Sequence, residues 1–186
     1  ILEKVRMFLE AASKDAVEVP DELIEEFGKA CADSFRKQFT DQRNKEFGLR
    51  ASNIGRPLCQ LQMEKQGIKG EGQPYNAKMR NLFGDLIEQL AIIVMKSAGV
   101  NIESEQTRIK FRATDNTEIN GTLDVEIGGK VWDIKSASPW SFTHKFGENG
   151  GFNEVATNDV FGYTTQGYVY AEGRSKPFGG WIVINK

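Results

Sequence analysis

Two aspartates and a lysine lie on a short hairpin pattern centred on Gly128 and Gly129. This glycine pair predicts a two-residue turn, because both central positions of the favoured turn need a positive φ angle. The resulting register puts Asp124 opposite Asp133, with Lys135 two residues further on. Opposed like charges destabilise a strand pair, and a divalent cation held by their oxygens would offset the repulsion. The pattern indicates a metal site, while the alternative is a solvated sheet face with two tolerated acids.

Alternation along the two strands divides the hairpin into two faces. One face is expected to carry the apolar side chains Leu123, Val125, Ile127, Trp132 and Ile134. The other is expected to carry Thr122, Asp124, Glu126, Asp133 and Lys135. We therefore predict that one face packs into the core and that the other serves chemistry or contacts water.

The elements around this hairpin predict an α/β fold with a mixed sheet. Helical spacing covers about 1–12, 20–46, 57–66, 76–98 and 155–172, and strands are expected at about 101–112, 119–127, 130–137 and 179–185. Ser52 or Asn53 could cap the helix that starts near Pro57. The segment 140–153 is expected to be a loop, and its His144 is either a surface residue or a substrate contact.

The clearest predicted helix, 76–98, carries an acid beside its apolar stripe. The stripe consists of Met79, Leu82, Phe83, Leu86, Ile87, Leu90, Ile93 and Val94. Glu88 lies at its margin with Gly84, a residue that costs about 1 kcal/mol relative to Ala inside a helix. We expect another chain segment to approach closely at Gly84 and Glu88 to face the sheet. An ordinary exposed Glu is the alternative.

Length, composition and charge are typical of one globular domain with a substantial core. The chain has 186 residues, of which 39% are hydrophobic, and a net charge of −2. Residues 1–30 are acidic, whereas residues 36–80 hold ten bases against four acids. Such a basic stretch suits a polyanion path, although solvated helix faces also explain it.

The expected location is the cytoplasm, which for a phage-encoded chain means the host cytoplasm. The sequence has neither a signal-peptide pattern nor an apolar run of membrane length. Cys31 and Cys59 are too few for a disulfide framework and lack a C-x-x-C spacing, so two reduced thiols are expected.

Four motifs in this order resemble the PD-(D/E)XK nuclease superfamily. They are Gly84 to Glu88 on a helix, Gly121-Thr122-Leu123-Asp124, Asp133-Ile134-Lys135 on the next strand, and Gln166 to Tyr170 on a later helix. The resemblance covers about residues 50–186. Within the superfamily, the chain most resembles the RecB-like and lambda-exonuclease-like branches. Ile87 stands where many RecB-like nucleases have a metal-binding His, so the helix fits the lambda-exonuclease-like pattern better. Residues 1–49 form a helical extension outside the resemblance.

The resemblance implies a restriction-endonuclease-like core and Mg²⁺- or Mn²⁺-dependent hydrolysis of DNA. By this resemblance Glu88, Asp124, Asp133 and the carbonyl of Ile134 bind the metal, and Lys135 positions or activates the attacking water. Gln166 and Tyr170 orient the substrate strand or support the site, with a purely core role open for Tyr170. Contacts to DNA are expected from Ser52, Arg56 and Arg80.

The implied activity is an exonuclease in recombination, repair or phage replication. An endonuclease and a non-catalytic or structure-specific nucleic-acid-binding module on the same fold are the alternatives. DNA ends are the expected partner, a homo-oligomer is compatible with the resemblance, and no membrane is expected. Some relatives carry a four-cysteine iron–sulfur cluster, which two cysteines cannot complete. We therefore predict no cluster and a buried or half-buried Cys59.

Overall fold

The computed structural model describes residues 1–40, 47–68, 74–147 and 149–186. Those residues fall into two compact units, Ile1–Arg43 with Gln73–Ile102 and Asn44–Gly72 with Glu103–Lys186. The predicted end of the second helix at 46, and Arg43, Lys45 and Lys69 of the basic stretch, lie outside the described residues. Within the described ranges we find no helix with the length and apolar character needed to cross a bilayer.

Among the described residues, four helices precede three consecutive strands, and further helices then lead to a last strand, an order compatible with an α/β protein. The helices are α1 (Leu2–Ala12), α2 (Asp21–Phe39), α3 (Leu58–Lys65), α4 (Asn76–Ser97), α5 (Pro139–Ser141), α6 (Phe152–Thr157) and α7 (Tyr163–Arg174). The strands are β1 (Ser104–Arg112), β2 (Glu118–Ile127), β3 (Lys130–Ala137) and β4 (Phe178–Asn185). A π-helical turn, Phe142–Phe146, directly follows α5. The predicted loop at 140–153 is therefore largely helical.

The first unit packs α1 and α2 against α4, and its ion pairs show which side of α4 is covered. Lys37 lies 2.9 Å from Asp85, and Lys96 lies 2.7 Å from Glu26. These pairs put α2 along the side of α4 that also carries Ile92, which is buried. The predicted apolar stripe was therefore wrong in part. Its members Met79, Phe83 and Leu90 are 43%, 52% and 47% exposed, because α2 covers a different side.

In the second unit, the described strands form one mixed sheet in the order β1-β2-β3-β4. β1, β2 and β3 are antiparallel neighbours, and β4 runs parallel to β3. The predicted hairpin turn is confirmed, since Gly128 and Gly129 have φ angles of 60° and 71°. Those angles belong to the left-handed region, which glycine adopts without a Cβ penalty. The mixed α/β architecture predicted from the sequence is confirmed.

The β2–β3 ladder ends just before Asp124 and Asp133, and residues 49–51 pair with the same edge of β2 beyond that point. Its pairs are Ile127 with Lys130, Glu126 with Val131 and Val125 with Trp132, as the sequence register predicted. Further along β2, Asn120 accepts a hydrogen bond from the Ala51 N–H and donates its own N–H to the Leu49 carbonyl. Since Asn120 pairs with β1 on its other side, residues 49–51 lie along the edge that β3 has left. The strands therefore separate at Asp124 and Asp133.

The predicted division of the hairpin into an apolar and a polar face does not hold along β2. Leu123, Asp124, Val125, Glu126 and Ile127 are five consecutive buried residues. Both faces are covered here, so the acids do not lie on a solvated surface. The alternative of two tolerated acids on a wet sheet face is therefore wrong.

Helix α7 packs on the sheet and brings its polar residues toward β3. Val169 and Tyr170 join a buried core with Ile109, Leu123 and Val131. The Tyr170 ring fills the space above Gly121, where a Cβ atom would come within 2.6 Å of the ring. Close contact at this glycine thus fixes the position of the helix above the hairpin.

Candidate active site

Asp124 and Asp133 come together where the strands separate, as the sequence predicted. Asp133 is fully buried and Asp124 is 9% exposed. Asp124 Oδ2 accepts the backbone N–H of Ile134 at 2.6 Å, which replaces a missing ladder bond. Asp133 Oδ1 has no hydrogen-bond donor among the described residues. A buried carboxylate oxygen without a donor is costly unless a cation or a proton neutralises it.

Lys135 supplies the positive charge of the site. Its Nζ lies 2.6 Å from Oδ2 of Asp133, and its side chain is 18% exposed. The same Nζ donates to Oε1 of Gln166 at 3.3 Å and lies 5.1 Å from the centroid of the Tyr163 ring. An ammonium group held between a carboxylate, an amide oxygen and an aromatic face has a fixed position.

The Gln166–Tyr170 motif reaches the site through a short relay. The amide of Gln166 donates to the Tyr170 hydroxyl at 2.7 Å, while its oxygen accepts from Lys135. Tyr170 is only 4% exposed, so its ring belongs to the core and its hydroxyl holds Gln166. Sequence reasoning missed Tyr163 as a site residue, although its position three residues before Gln166 places both on one helix face.

Burial and charge set the protonation of this cluster. Burial raises the pKa of Asp133, although the neighbouring Lys135 ammonium partly offsets this. Burial lowers the pKa of Lys135, but the attraction of Asp133 and Asp124 outweighs it and the pKa is raised. Lys135 is therefore an ammonium donor at neutral pH rather than a base.

The other predicted site residues are divided between the two units. Glu88 is half-buried on α4, in the first unit, and Arg80 is exposed on the same helix. Apart from the backbone of its own helix, no described atom lies within 4 Å of the Cβ position of Gly84, and the approach of the sheet to this glycine stays a prediction. In the second unit Ser52 is exposed, and Arg56 pairs with Glu64 at 3.0 Å.

Three further residues, Asn53, His144 and Cys59, can be compared with the roles that the sequence predicted for them. Asn53 is buried and caps no helix, because its side chain accepts from the Arg50 N–H and donates to the Gly48 carbonyl. His144 is exposed, and its ring stacks on Trp140. Cys59 is exposed rather than buried or half-buried, because it lies on the open side of the short helix α3.

Sequence reasoning also missed a buried ion cluster beside the site. Glu126 is 1% exposed and is bound by Arg174 through two nitrogens and by Lys176 at 2.7 Å. Lys176 also lies 3.4 Å from Glu103, whose other oxygen accepts the Gly129 N–H. The cluster attaches the end of α7 to β2. No local pattern could reveal it, because Arg174 lies 48 residues from Glu126.

The acids beside the Lys135 ammonium are Asp124 and Asp133. Across the described ranges, no group of three or more His, Cys, Asp and Glu side chains is arranged to hold a metal ion. Glu88 as a further ligand stays a prediction. Compared with protein-family models, with curated proteins and with solved structures, the chain gives no match.

Proposed function

We propose that this chain is a metal-dependent deoxyribonuclease with a restriction-endonuclease-like core, acting as an exonuclease on DNA ends. One observation carries the proposal: two carboxyl groups meet in a buried notch of the sheet, with a fixed ammonium group 2.6 Å from one of them. Phosphodiester hydrolysis needs this combination, because the acids can hold a cation and the ammonium offsets negative charge on the phosphate.

The donor set suits Mg²⁺ or Mn²⁺. Both ions prefer oxygen ligands, and Mg²⁺ is commonly held by one or two carboxylates with waters and substrate phosphate. Asp133 Oδ1, which lacks a donor among the described residues, is such a ligand. Asp124, Asp133 and the Ile134 carbonyl would hold the ion, and Glu88 is the proposed additional ligand. Bound there, the ion supplies Lewis-acid activation of the phosphate and of a water molecule.

The residues of the chain itself would position and neutralise the substrate. Lys135, kept protonated by the acids, donates a hydrogen bond to a phosphate oxygen or to the attacking water. Gln166 restrains the ammonium group, and Tyr170 restrains Gln166. Arg56 and Ser52 on the 50–57 segment, and Arg80 on α4, would contact the DNA backbone and set its position rather than its sequence.

Cleavage of end-labelled linear DNA and covalently closed circular DNA tests the proposal. The purified chain is incubated with Mg²⁺, Mn²⁺ or EDTA, beside Lys135→Ala and the matched control Lys130→Ala, an exposed lysine on the same strand. We expect metal-dependent loss of linear DNA in the wild type and in the control, and none in Lys135→Ala. Asp124→Asn serves as a second inactive variant, because its amide oxygen can still accept the Ile134 N–H.

The outcomes separate the alternatives. Nicking of the circle would change the assignment to endonuclease. DNA binding without cleavage under any metal would assign a non-catalytic binding module, and full activity of Lys135→Ala would refute the mechanism. Circular dichroism of each variant confirms that a loss of activity does not come from unfolding.

A further inference from the structure

Aromatic rings extend from the Lys135 ammonium to the surface of the second unit. Tyr163 lies beneath Lys135, and the Phe161 ring stacks on Tyr163 with centroids 5.5 Å apart and planes inclined by 25°. Phe161 is 61% exposed. One ring therefore separates an exposed aromatic surface from the charged group of the candidate active site.

The Phe161 ring is held by a defined turn. Asp159 accepts the N–H groups of Tyr163 and Thr164 at 2.7 and 2.8 Å, which fixes the start of α7. Gly162 has a φ of 70° and packs directly on Gly55, where a Cβ atom would clash with its backbone. An exposed ring on such a fixed turn is pre-organised for stacking, since little conformational entropy is lost when a partner binds.

Positive charge flanks the exposed ring. Lys145, from the π-helical turn, places Nζ 5.3 Å from the Phe161 ring centroid. Its side chain is flexible and can move from the ring to a phosphate when a base takes its place. An aromatic face between Lys135 and Lys145 matches the alternation of base and phosphate in a single strand. An apolar protein surface would not use the two cations.

We propose that Phe161, flanked by Lys145, stacks an unpaired nucleobase of the DNA strand whose phosphate lies at Lys135. This inference rests on the proposed nuclease function and specifies its substrate. A base inside a duplex presents only its edges, so the site would take a single strand or the frayed end of a duplex. Stacking on a phenyl ring tolerates every base, so it adds affinity without sequence preference.

Binding in EDTA tests the inference without cleavage. Fluorescence anisotropy with the full chain compares a labelled oligo-dT strand with a blunt hairpin duplex of equal phosphate number. The variants are Phe161→Leu, which keeps apolar bulk but removes the ring, and Phe161→Trp, which keeps a ring. Tyr168→Leu is the matched control, since Tyr168 is also an exposed aromatic (51%) but contacts Phe178 instead of the site.

We expect Phe161→Leu to weaken oligo-dT binding about 5- to 150-fold, which corresponds to the loss of one base–aromatic stack. Duplex binding should change little, and Phe161→Trp and Tyr168→Leu should bind the single strand like the wild type. Lys145→Ala should weaken both DNA forms and lower the salt dependence of binding by about one phosphate contact.

Unchanged oligo-dT binding by Phe161→Leu would overturn the stacking site. If the wild type still cleaves linear DNA with Mn²⁺ in that case, the nuclease function stands and only the proposed stacking site at Phe161 fails. If the wild type neither binds nor cleaves DNA, both fail. A change of oligomeric state in Phe161→Leu, measured by light scattering, with unchanged DNA binding would assign the ring to a contact between copies and overturn the inference.

Discussion

Replacing Glu126 by Gln should destabilise the sheet unit through the loss of one buried charge. The carboxylate is 1% exposed, and Arg174 and Lys176 bind it from the end of α7 and from the segment before β4. Gln keeps the shape and one acceptor oxygen but cannot neutralise two cations. The substitution therefore tests the ionic attachment of α7 without creating a cavity.

The expected loss is about 2 kcal/mol. Removing one partner of a fully buried ion pair costs about 3–5 kcal/mol. Here the cations keep contact with water, because the side chains of Arg174 and Lys176 are 34% and 30% exposed, so much of that penalty is relieved. A hydrogen bond to a charged group contributes about 1.5–3 kcal/mol, which sets the expected size. For a chain of this length the midpoint of thermal unfolding should fall by about 4–8 °C.

Tryptophan fluorescence is the suitable assay, because Trp132, Trp140 and Trp181 all belong to the sheet unit. The matched control is Glu118→Gln on the same strand, which removes an exposed ion pair with Lys110. Exposed pairs contribute little to stability, so the control should unfold like the wild type. Equal midpoints for Glu126→Gln and the wild type at pH 7 would refute the proposed attachment.

The pH dependence of stability gives an independent check that the charge of Glu126 stabilises the sheet unit. Hydrogen bonding from Arg174, with a smaller contribution from Lys176, holds the pKa of Glu126 below its ordinary value despite burial. A lowered carboxyl pKa adds stability above the unfolded-state pKa of about 4.3, and that stability is lost as the pH falls through the folded-state pKa. The difference between wild type and Glu126→Gln should therefore shrink in acid. A difference that stays constant would indicate lost packing rather than lost charge.

Three further predictions concern the site and its support. Gly121→Ala should lower the free energy of unfolding by about 1–3 kcal/mol, because its Cβ would lie 2.6 Å from the buried Tyr170 ring. Gly84→Ala should instead stabilise α4 by up to about 1 kcal/mol. Urea unfolding followed by circular dichroism compares the two variants, and equal midpoints would contradict this packing. Tyr170→Phe should slow DNA cleavage about 2- to 10-fold, since Gln166 loses one hydrogen-bond partner; an unchanged rate would remove the relay from the mechanism. The Mn²⁺-induced rise in melting temperature should grow as the pH increases above about 3.9, because burial raises the pKa of Asp133 and protons compete for its oxygens; a pH-independent shift would place the metal elsewhere.

Local signals in the sequence predicted the hairpin and the meeting of its acids. Gly128 and Gly129 define the turn, and counting back from it sets the observed register up to Val125 and Trp132. The separation of the strands beyond that pair was not predictable. It depends on residues 49–51, which bind to the edge of β2 from some 70 residues away in sequence. The carboxylate of Asp124 can accept the Ile134 N–H because the ladder ends there.

Long-range packing also explains the two errors on helices and faces. Periodicity shows that α4 is amphipathic, but the side that becomes buried depends on where α2 packs, and Asp85 marks that side only through its contact with Lys37. Likewise Glu126 was expected on a polar face with Asp124. Its burial follows from Arg174 and Lys176, which neutralise it from a distant helix end.

Helix α7 is attached to the sheet independently of the acids that it serves. Its C-terminal end is bound through Glu126, its middle packs through Tyr170 on Gly121, and its first turn is fixed by Asp159. None of these contacts involves the carboxyl groups of Asp124 or Asp133. Neutralising either acid should therefore leave Gln166 and Tyr163 in place around Lys135, so such variants should lose the proposed metal binding and keep the fold. This separation makes the acid variants a test of chemistry rather than of folding.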